Sequence, residues 1–208
     1  MATATEIRPD LLTADPDGPI PADTSGPMTT EEMLELPEGE VHRELYLGAL
    51  RERPMTTRNV PHSFLNARIG QLILNWVEAQ PEPRGLVLGG EARVRIRKDP
   101  DTTVGIDLAY LSPELAAQTP EGAKYVDGPP TLAVEILSPS DTYGELSEKV
   151  RAYLDAGVPL VWVVDPSFRT IVVYRPDAHP RMLNVDDAID DEPLLPGFRA
   201  EVARIFRR

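Results

Sequence analysis

Asp107, Glu135 and Lys149 are the residues of this sequence whose types and settings suit chemistry. Glu135 interrupts an apolar run, Leu132-Ala133-Val134-Glu135-Ile136-Leu137, which has the character of a buried strand with one carboxylate in its middle. Asp107 stands in a second such run, Val104 to Leu111. A turn, Ser138-Pro139-Ser140-Asp141, leads from Glu135 into a helix that carries Lys149 among apolar positions. Acids interrupting buried strands, with a lysine delivered by the next helix, suit metal-dependent hydrolysis of a phosphodiester. Either acid alone is more simply a salt-bridged or strand-edge carboxylate. For the pair that reading weakens, because buried charges must be paired or bind metal. Oxygen ligands suit Mg²⁺, which takes one or two carboxylates and keeps several waters.

Side chains alternate between the two faces of a strand. Val104, Ile106, Leu108 and Tyr110 are therefore expected on one packing face, and Gly105, Asp107, Ala109 and Leu111 on the other. Leu132, Val134 and Ile136 share a face, opposite Ala133, Glu135 and Leu137. Each acid has a small neighbour on its own side, which leaves room beside it. On the helix, Leu146, Val150, Tyr153 and Leu154 form the stripe that must meet the sheet, with Lys149 at its margin. Two readings of Lys149 stay open: an ammonium reaching the carboxylates, or one snorkelling into solvent.

The elements that position these residues are legible in outline. Thr29-Thr30-Glu31-Glu32 offers a capping box for a short helix through Leu36. Val41 to Arg53, with Gly48 at the turn, has a hairpin pattern. Leu65, Ile69, Leu72, Ile73 and Trp76 fall at helical spacing between Pro61 and Gln80, where Pro81 and Pro83 stop the helix. Strands are expected at 86–97 and 104–111, followed by a Pro- and Gly-rich loop to Leu132. The next helix covers about 144–156, with Gly157 as its C-terminal cap. Strands at 160–164 and 170–174 flank Asp165-Pro166, and a final turn and short helix follow Leu194-Leu195-Pro196-Gly197-Phe198. This order predicts an α/β (α+β) fold, a mixed central sheet flanked by helices.

Residues 1–27 hold five acids against one arginine and are rich in Pro, Asp, Thr and Gly, the composition of a flexible acidic tail ahead of a single domain at 28–208. The net charge of −13 argues against broad, non-specific nucleic-acid binding, yet leaves room for a local basic groove. The absence of cysteine excludes disulfides, thiolate metal sites and a cysteine nucleophile. Neither a secretory signal nor a membrane-length apolar run is visible, so a cytoplasmic location and no membrane partner are expected.

The strand–helix–strand unit AVEILSPSDTYGELSEKVRAYLDAGVPLVWVVDP resembles the Uma-two-type restriction endonucleases, a branch of the PD-(D/E)XK nuclease superfamily. RELYLGAL is similar to that family's opening hairpin with its acid, here Glu44; GIDLAYL to the strand with the metal-binding Asp, here Asp107; and LLPGF to its C-terminal signature. Ile106 stands where the family usually has proline, and Leu137 where the superfamily has its lysine. The resemblance implies that the lysine role has moved to Lys149. It implies a restriction-endonuclease-like core and Mg²⁺- or Mn²⁺-dependent phosphodiester hydrolysis, with DNA as partner and a homodimer as assembly. Asp107 and Glu135 would bind metal with the Ile136 carbonyl, Glu44 would complete the set or place a second ion, and Lys149 would orient the attacking water.

Arg93, Arg95 and Arg97 alternate along one strand and are candidate phosphate contacts, against a solvated ion-paired face. His62 opens the long helix, where capping or packing competes with a role at the site. Ser138 and Ser140 have no histidine base placed by sequence, so a serine-hydrolase reading is poor. Trp76 and Trp162 sit in core-like patterns. The reading from another class is a non-catalytic interaction or regulatory module that keeps the nuclease fold; a third is a nuclease for RNA or small nucleotides.

Overall fold

The computed structural model describes residues 26–208 except 38, 56, 140 and 191. Residues 1–25 of the expected tail, and Ser140 of the expected turn, lie outside the described residues. Pro27 and Met28 already pack on the body. The Met28 N–H donates to the Gly48 carbonyl at 2.9 Å, and a side chain on Gly48, whose φ is +78°, would strike Pro27.

The chain opens with α1 (Thr30–Glu35), closed by the Thr29–Glu32 capping box read from sequence. The hairpin follows as β1 (Val41–Tyr46) and β2 (Ala49–Pro54). Next is α2 (Val60–Glu78), where the Asn59 side chain caps the His62 N–H and Pro61 fits the first turn. β3 (Leu86–Arg97) and β4 (Thr102–Leu111) form a long antiparallel pair. The expected loop before Leu132 contains α3 (Pro113–Gln118) and β5 (Val126–Asp127). Its start was written in Ser112-Pro113, an N-cap followed by proline at the first helical position.

β6 (Leu132–Ile136), α4 (Tyr143–Asp155), β7 (Leu160–Asp165) and β8 (Thr170–Arg175) lie close to their expected spans. β9 (Ala178–Leu183) was not anticipated; five of its six residues are exposed, so it lacks the apolar alternation that marks a strand and depends on pairing with β8. β10 (Ala188–Ile189), β11 (Ala200–Glu201) and α5 (Val202–Phe206) complete the described chain.

The main sheet runs β2-β1-β4-β6-β7-β8-β9, with β3 also paired to β4 and β5. It is mostly antiparallel. The β6–β7 pair is parallel, as its α4 crossover requires. Leu65, Ile69, Ile73 and Val77 of α2 pack one face against Leu108, Val134 and Trp162, joined by Leu195, Phe198 and Ile205. Val150 and Tyr153 of α4 cover the other face against Ala133, Val161 and Val163. Each such buried aliphatic or aromatic side chain contributes about 1.5–3 kcal/mol relative to exposure. Trp162 is core, and Trp76 packs at its margin with its Nε1–H on the Pro196 carbonyl at 2.9 Å. No described helix is long and apolar enough to cross a membrane.

One expectation fails inside β4. Val104, Ile106, Leu108 and Tyr110 do not share one packing cluster. Leu108 and Tyr110 lie under α2, whereas Val104 and Ile106 pack with Val94 and Ile96 in the other cluster. The change falls at a β-bulge: Gly89 pairs Leu108 and Ala92 pairs Ile106, so Gly90 and Glu91 together oppose Asp107 alone. Gly90 and Glu91 have φ of +77° and +61°. A bulge bends its strand, here β3, and increases local twist, and the change of layer along β4 falls opposite it.

Candidate active site

The bulge, the β1–β2 hairpin, the end of β6 and the start of α4 surround a cavity of about 430 Å³. Glu44, Asp107, Glu135, Ile136 and Lys149 all line it. Five residues spread over more than a hundred positions thus meet at one place. The β4–β6 pairing, Leu108 to Val134 and Ala109 to Ala133, brings Asp107 in the middle of β4 beside Glu135 near the end of β6.

Lys149 settles its two readings in favour of the interior. Its Nζ donates to Glu135 Oε2 at 3.0 Å and to the Gly105 carbonyl at 2.9 Å, and stands 3.6 Å from Glu44 Oε1. Burial disfavours the ammonium, but the Glu135 and Glu44 charges outweigh that and raise its pKa above the ordinary lysine value. Lys149 is therefore a fixed cation, suited to orienting water and meeting negative charge. Glu44 also accepts the Gly105 N–H at 3.1 Å, which anchors its carboxylate across β4.

Glu135 is engaged on both oxygens. Besides Lys149, the Tyr153 hydroxyl donates to Oε1 at 2.5 Å. Lys149 and Tyr153 are four residues apart on α4, so one face of the helix grips the carboxylate from two sides. Burial pushes Glu135 up to about 7; Lys149 and the Tyr153 hydrogen bond oppose the shift, and the Asp107 charge adds to it.

Asp107 is nearly inaccessible, at 4% exposure. Its Oδ2 accepts the Ile136 N–H at 2.8 Å and faces His62 Nε2 at 3.1 Å. Burial pushes its pKa up, but these hydrogen bonds and the Lys149 charge outweigh burial and hold it below the usual carboxylate value. Asp107 Oδ1 faces the Arg58 guanidinium at 3.9 Å. Asn66 Nδ2 donates to the Asp107 carbonyl at 2.8 Å.

Several site residues were not singled out in the sequence. Arg58 pairs with Glu91, which the bulge brings to the cavity wall, and Glu91 also meets His42 Nδ1 at 3.2 Å. Arg51 and Arg53 of β2 reach across to Glu148 and Glu145 of α4, at 2.5 and 3.1 Å. Gly89-Gly90 inside a strand pattern was the signal for the bulge, and His62 and Asn66 at i, i+4 was the signal for a shared helix face. Tyr153 carried no separate signal, because its ring also fits the apolar stripe.

The arginine ladder needs correction. Arg95 is 4% exposed and held by Asp127, Glu31 and Asp101, which leaves it no free donor face for a phosphate. Arg93 lines the cavity, and Arg97 is exposed.

Among the described residues, no three His, Cys, Asp or Glu side chains come together at metal-ligand spacing. The site instead offers two carboxylates converging on one cavity, with Glu44 beside them. All are hard oxygen donors, and two carboxylates suffice for an ion that retains waters. The residues present fit Mg²⁺ or Mn²⁺ on this chemistry.

A mixed sheet between α2 and α4, with acids side by side on its adjacent central strands, defines a protein of the restriction-endonuclease-like class. Residues 30–203 match the model of the Uma2 family, described as putative restriction endonucleases, and the chain belongs to that family. It is similar to the crystal structure of a putative nuclease of the DUF820 group from Anabaena variabilis. That similarity has a TM-score of 0.70 and 22% identity, and covers 86% of this chain and 98% of the other. A comparison with curated proteins gives no match.

Proposed function

We propose that this protein is a metal-dependent endonuclease that hydrolyses phosphodiester bonds in DNA, with residues 28–208 as its nuclease domain. The observation that carries this reading is the convergence of Glu44, Asp107, Glu135 and Lys149 on one cavity, with the Lys149 ammonium 3.0 Å from Glu135. Membership of a family described as putative restriction endonucleases supports it.

In this reading Asp107 and Glu135 would hold Mg²⁺ or Mn²⁺, with the Ile136 carbonyl as a backbone ligand and Glu44 completing the set or placing a second ion. The cation, when bound, supplies Lewis acidity, making water a workable nucleophile near neutral pH and offsetting charge on the phosphate. Lys149 orients the attacking water and stabilises the negative charge that develops on the phosphate oxygens. Glu44 and Gly105 hold the Lys149 side chain in place for this. Tyr153 keeps Glu135 from rotating out of the site. Arg58 and Arg93 line the same cavity and supply positive charge where a phosphate would enter.

A second reading, a non-catalytic module on the same fold, is favoured by the net charge of −13 and by the engagement of both Glu135 oxygens. One experiment separates the two. Purified protein is incubated with supercoiled plasmid in Mg²⁺, Mn²⁺ or EDTA, beside Glu135→Ala and Lys149→Ala. Cleavage that needs metal and is lost in both variants supports the nuclease. Cleavage equal in all three proteins marks a contaminant. No cleavage of plasmid, single strands or RNA under any metal favours the module.

A further inference from the structure

We propose that His62 is a positioning residue which, together with Asn66, holds Asp107 so that Oδ1 alone is presented to the cavity. The inference rests on the reading of Asp107 as a ligand for a divalent cation and deepens it.

The argument starts from the bulge. Gly90 and Glu91 of β3 oppose Asp107, so the ladder loses its regular one-to-one pairing at that residue. A buried carbonyl left without a donor is costly. Asn66 supplies the donor, its Nδ2 lying 2.8 Å from the Asp107 carbonyl. One turn earlier on α2, His62 Nε2 lies 3.1 Å from Asp107 Oδ2. An ionised carboxylate only accepts, so Nε2 carries the hydrogen. Positions i and i+4 share one face of a helix, and here that face grips both the main chain and the side chain of one aspartate.

His62 is itself held in place. It is 3% exposed, and its main-chain N–H donates to Asn59 Oδ1 at 2.9 Å in the first turn of α2. With the Ile136 N–H at 2.8 Å, His62 gives Oδ2 two partners. Oδ1 is the oxygen left facing the cavity and the Arg58 guanidinium. Groups that hydrogen-bond a metal-ligating carboxylate fix its orientation, and their loss weakens metal binding.

The test uses the full chain and Mn²⁺ alone, with affinity read from the electron paramagnetic resonance of free Mn²⁺ and folding from circular dichroism. His62→Leu removes the donor and keeps the bulk; affinity is expected to fall about 10- to 100-fold. His62→Gln carries an amide N–H near the Nε2 position and should stay within about threefold of wild type on that same scale. Should the leucine variant fail to fold, His62→Asn takes its place, since its shorter amide stops short of Oδ2 and should lose affinity where glutamine keeps it. Equal Mn²⁺ affinity in wild type and His62→Leu would overturn the positioning role and leave the nuclease reading standing. Equal losses in the glutamine and the leucine or asparagine variants would reduce His62 to packing. Wild type that binds no Mn²⁺ would sink this inference together with the metal-dependent reading.

Discussion

Lys149 Nζ and Glu135 Oε2 meet at 3.0 Å inside a single strand–helix unit, the lysine fourteen residues beyond the glutamate. The acid comes from the end of β6 and the ammonium from the second turn of α4. Their contact lies within one strand–helix–strand unit, because α4 folds back over β6 to let β7 pair in parallel. Truncating Lys149 would leave a buried carboxylate without its cation, a change that costs up to about 3–5 kcal/mol. Lys149→Met is therefore expected to lose stability in urea unfolding at pH 8, and the double variant Lys149→Met/Glu135→Gln to regain most of it. A double variant no more stable than the single one would show that the pair is not coupled.

Tyr153 is fully buried, and its hydroxyl donates to Glu135 Oε1. A hydrogen bond to a charged group contributes about 1.5–3 kcal/mol. Tyr153→Phe keeps the ring in the core and removes only that donor, so a loss of about this size is expected in urea. An unchanged midpoint would mean that the ring alone matters.

Arg58 is the guanidinium that faces Asp107 Oδ1. If DNA enters there, Arg58→Ala should weaken binding of an oligonucleotide duplex measured in EDTA. It should also reduce the slope of log affinity against log salt by about one, the signature of a lost phosphate contact. A slope equal to that of wild type would remove Arg58 from the interface.

Asp101, which does not line the cavity, makes a stability prediction. Burial pushes its carboxyl up, but hydrogen bonds from the Thr30 hydroxyl and N–H, with the Arg95 charge, outweigh burial and hold it below the usual value. The folded pKa thus lies under the unfolded one. The stabilisation is complete above the unfolded value of about 3.9 and is lost as pH falls through the folded value. The melting temperature of wild type should drop more steeply than that of Asp101→Asn as pH falls below about 4. Parallel curves for the two proteins would assign the acid loss to other carboxylates.

Arg95 and His62 show how a correct local pattern can mislead. Arg93, Arg95 and Arg97 alternate as an exposed strand edge would, yet α1 and β5 arrive from elsewhere in the chain and enclose Arg95 between Glu31, Asp101 and Asp127. His62 at a helix start left capping, packing and a role at the site as competing readings. It is the Asn59 side chain that caps, and the His62 ring turns inward to Asp107.

What the sequence determined by itself follows from short-range physics. The capping box at Thr29, the α2 stripe ending at Pro81, the Gly157 cap and the Glu135–Lys149 spacing are all set by neighbours within about a turn or one strand–helix unit. Asp107, Glu135 and Lys149 could be named for the same reason, each as a polar residue in an apolar period, whereas Glu44 was named through the resemblance of RELYLGAL to the family's opening hairpin. Tertiary structure alone decided that Asn66 and His62 grip Asp107, that Glu91 and Arg58 reach the same cavity, and that Tyr153 serves Glu135 as well as the core. Those contacts join different elements or depend on how α4 is turned over its sheet. They are made because desolvated carboxylates and carbonyls must find donors once the sheet closes, and which donors lie within reach is settled by the packing of α2 and α4 and by the bulge opposite Asp107.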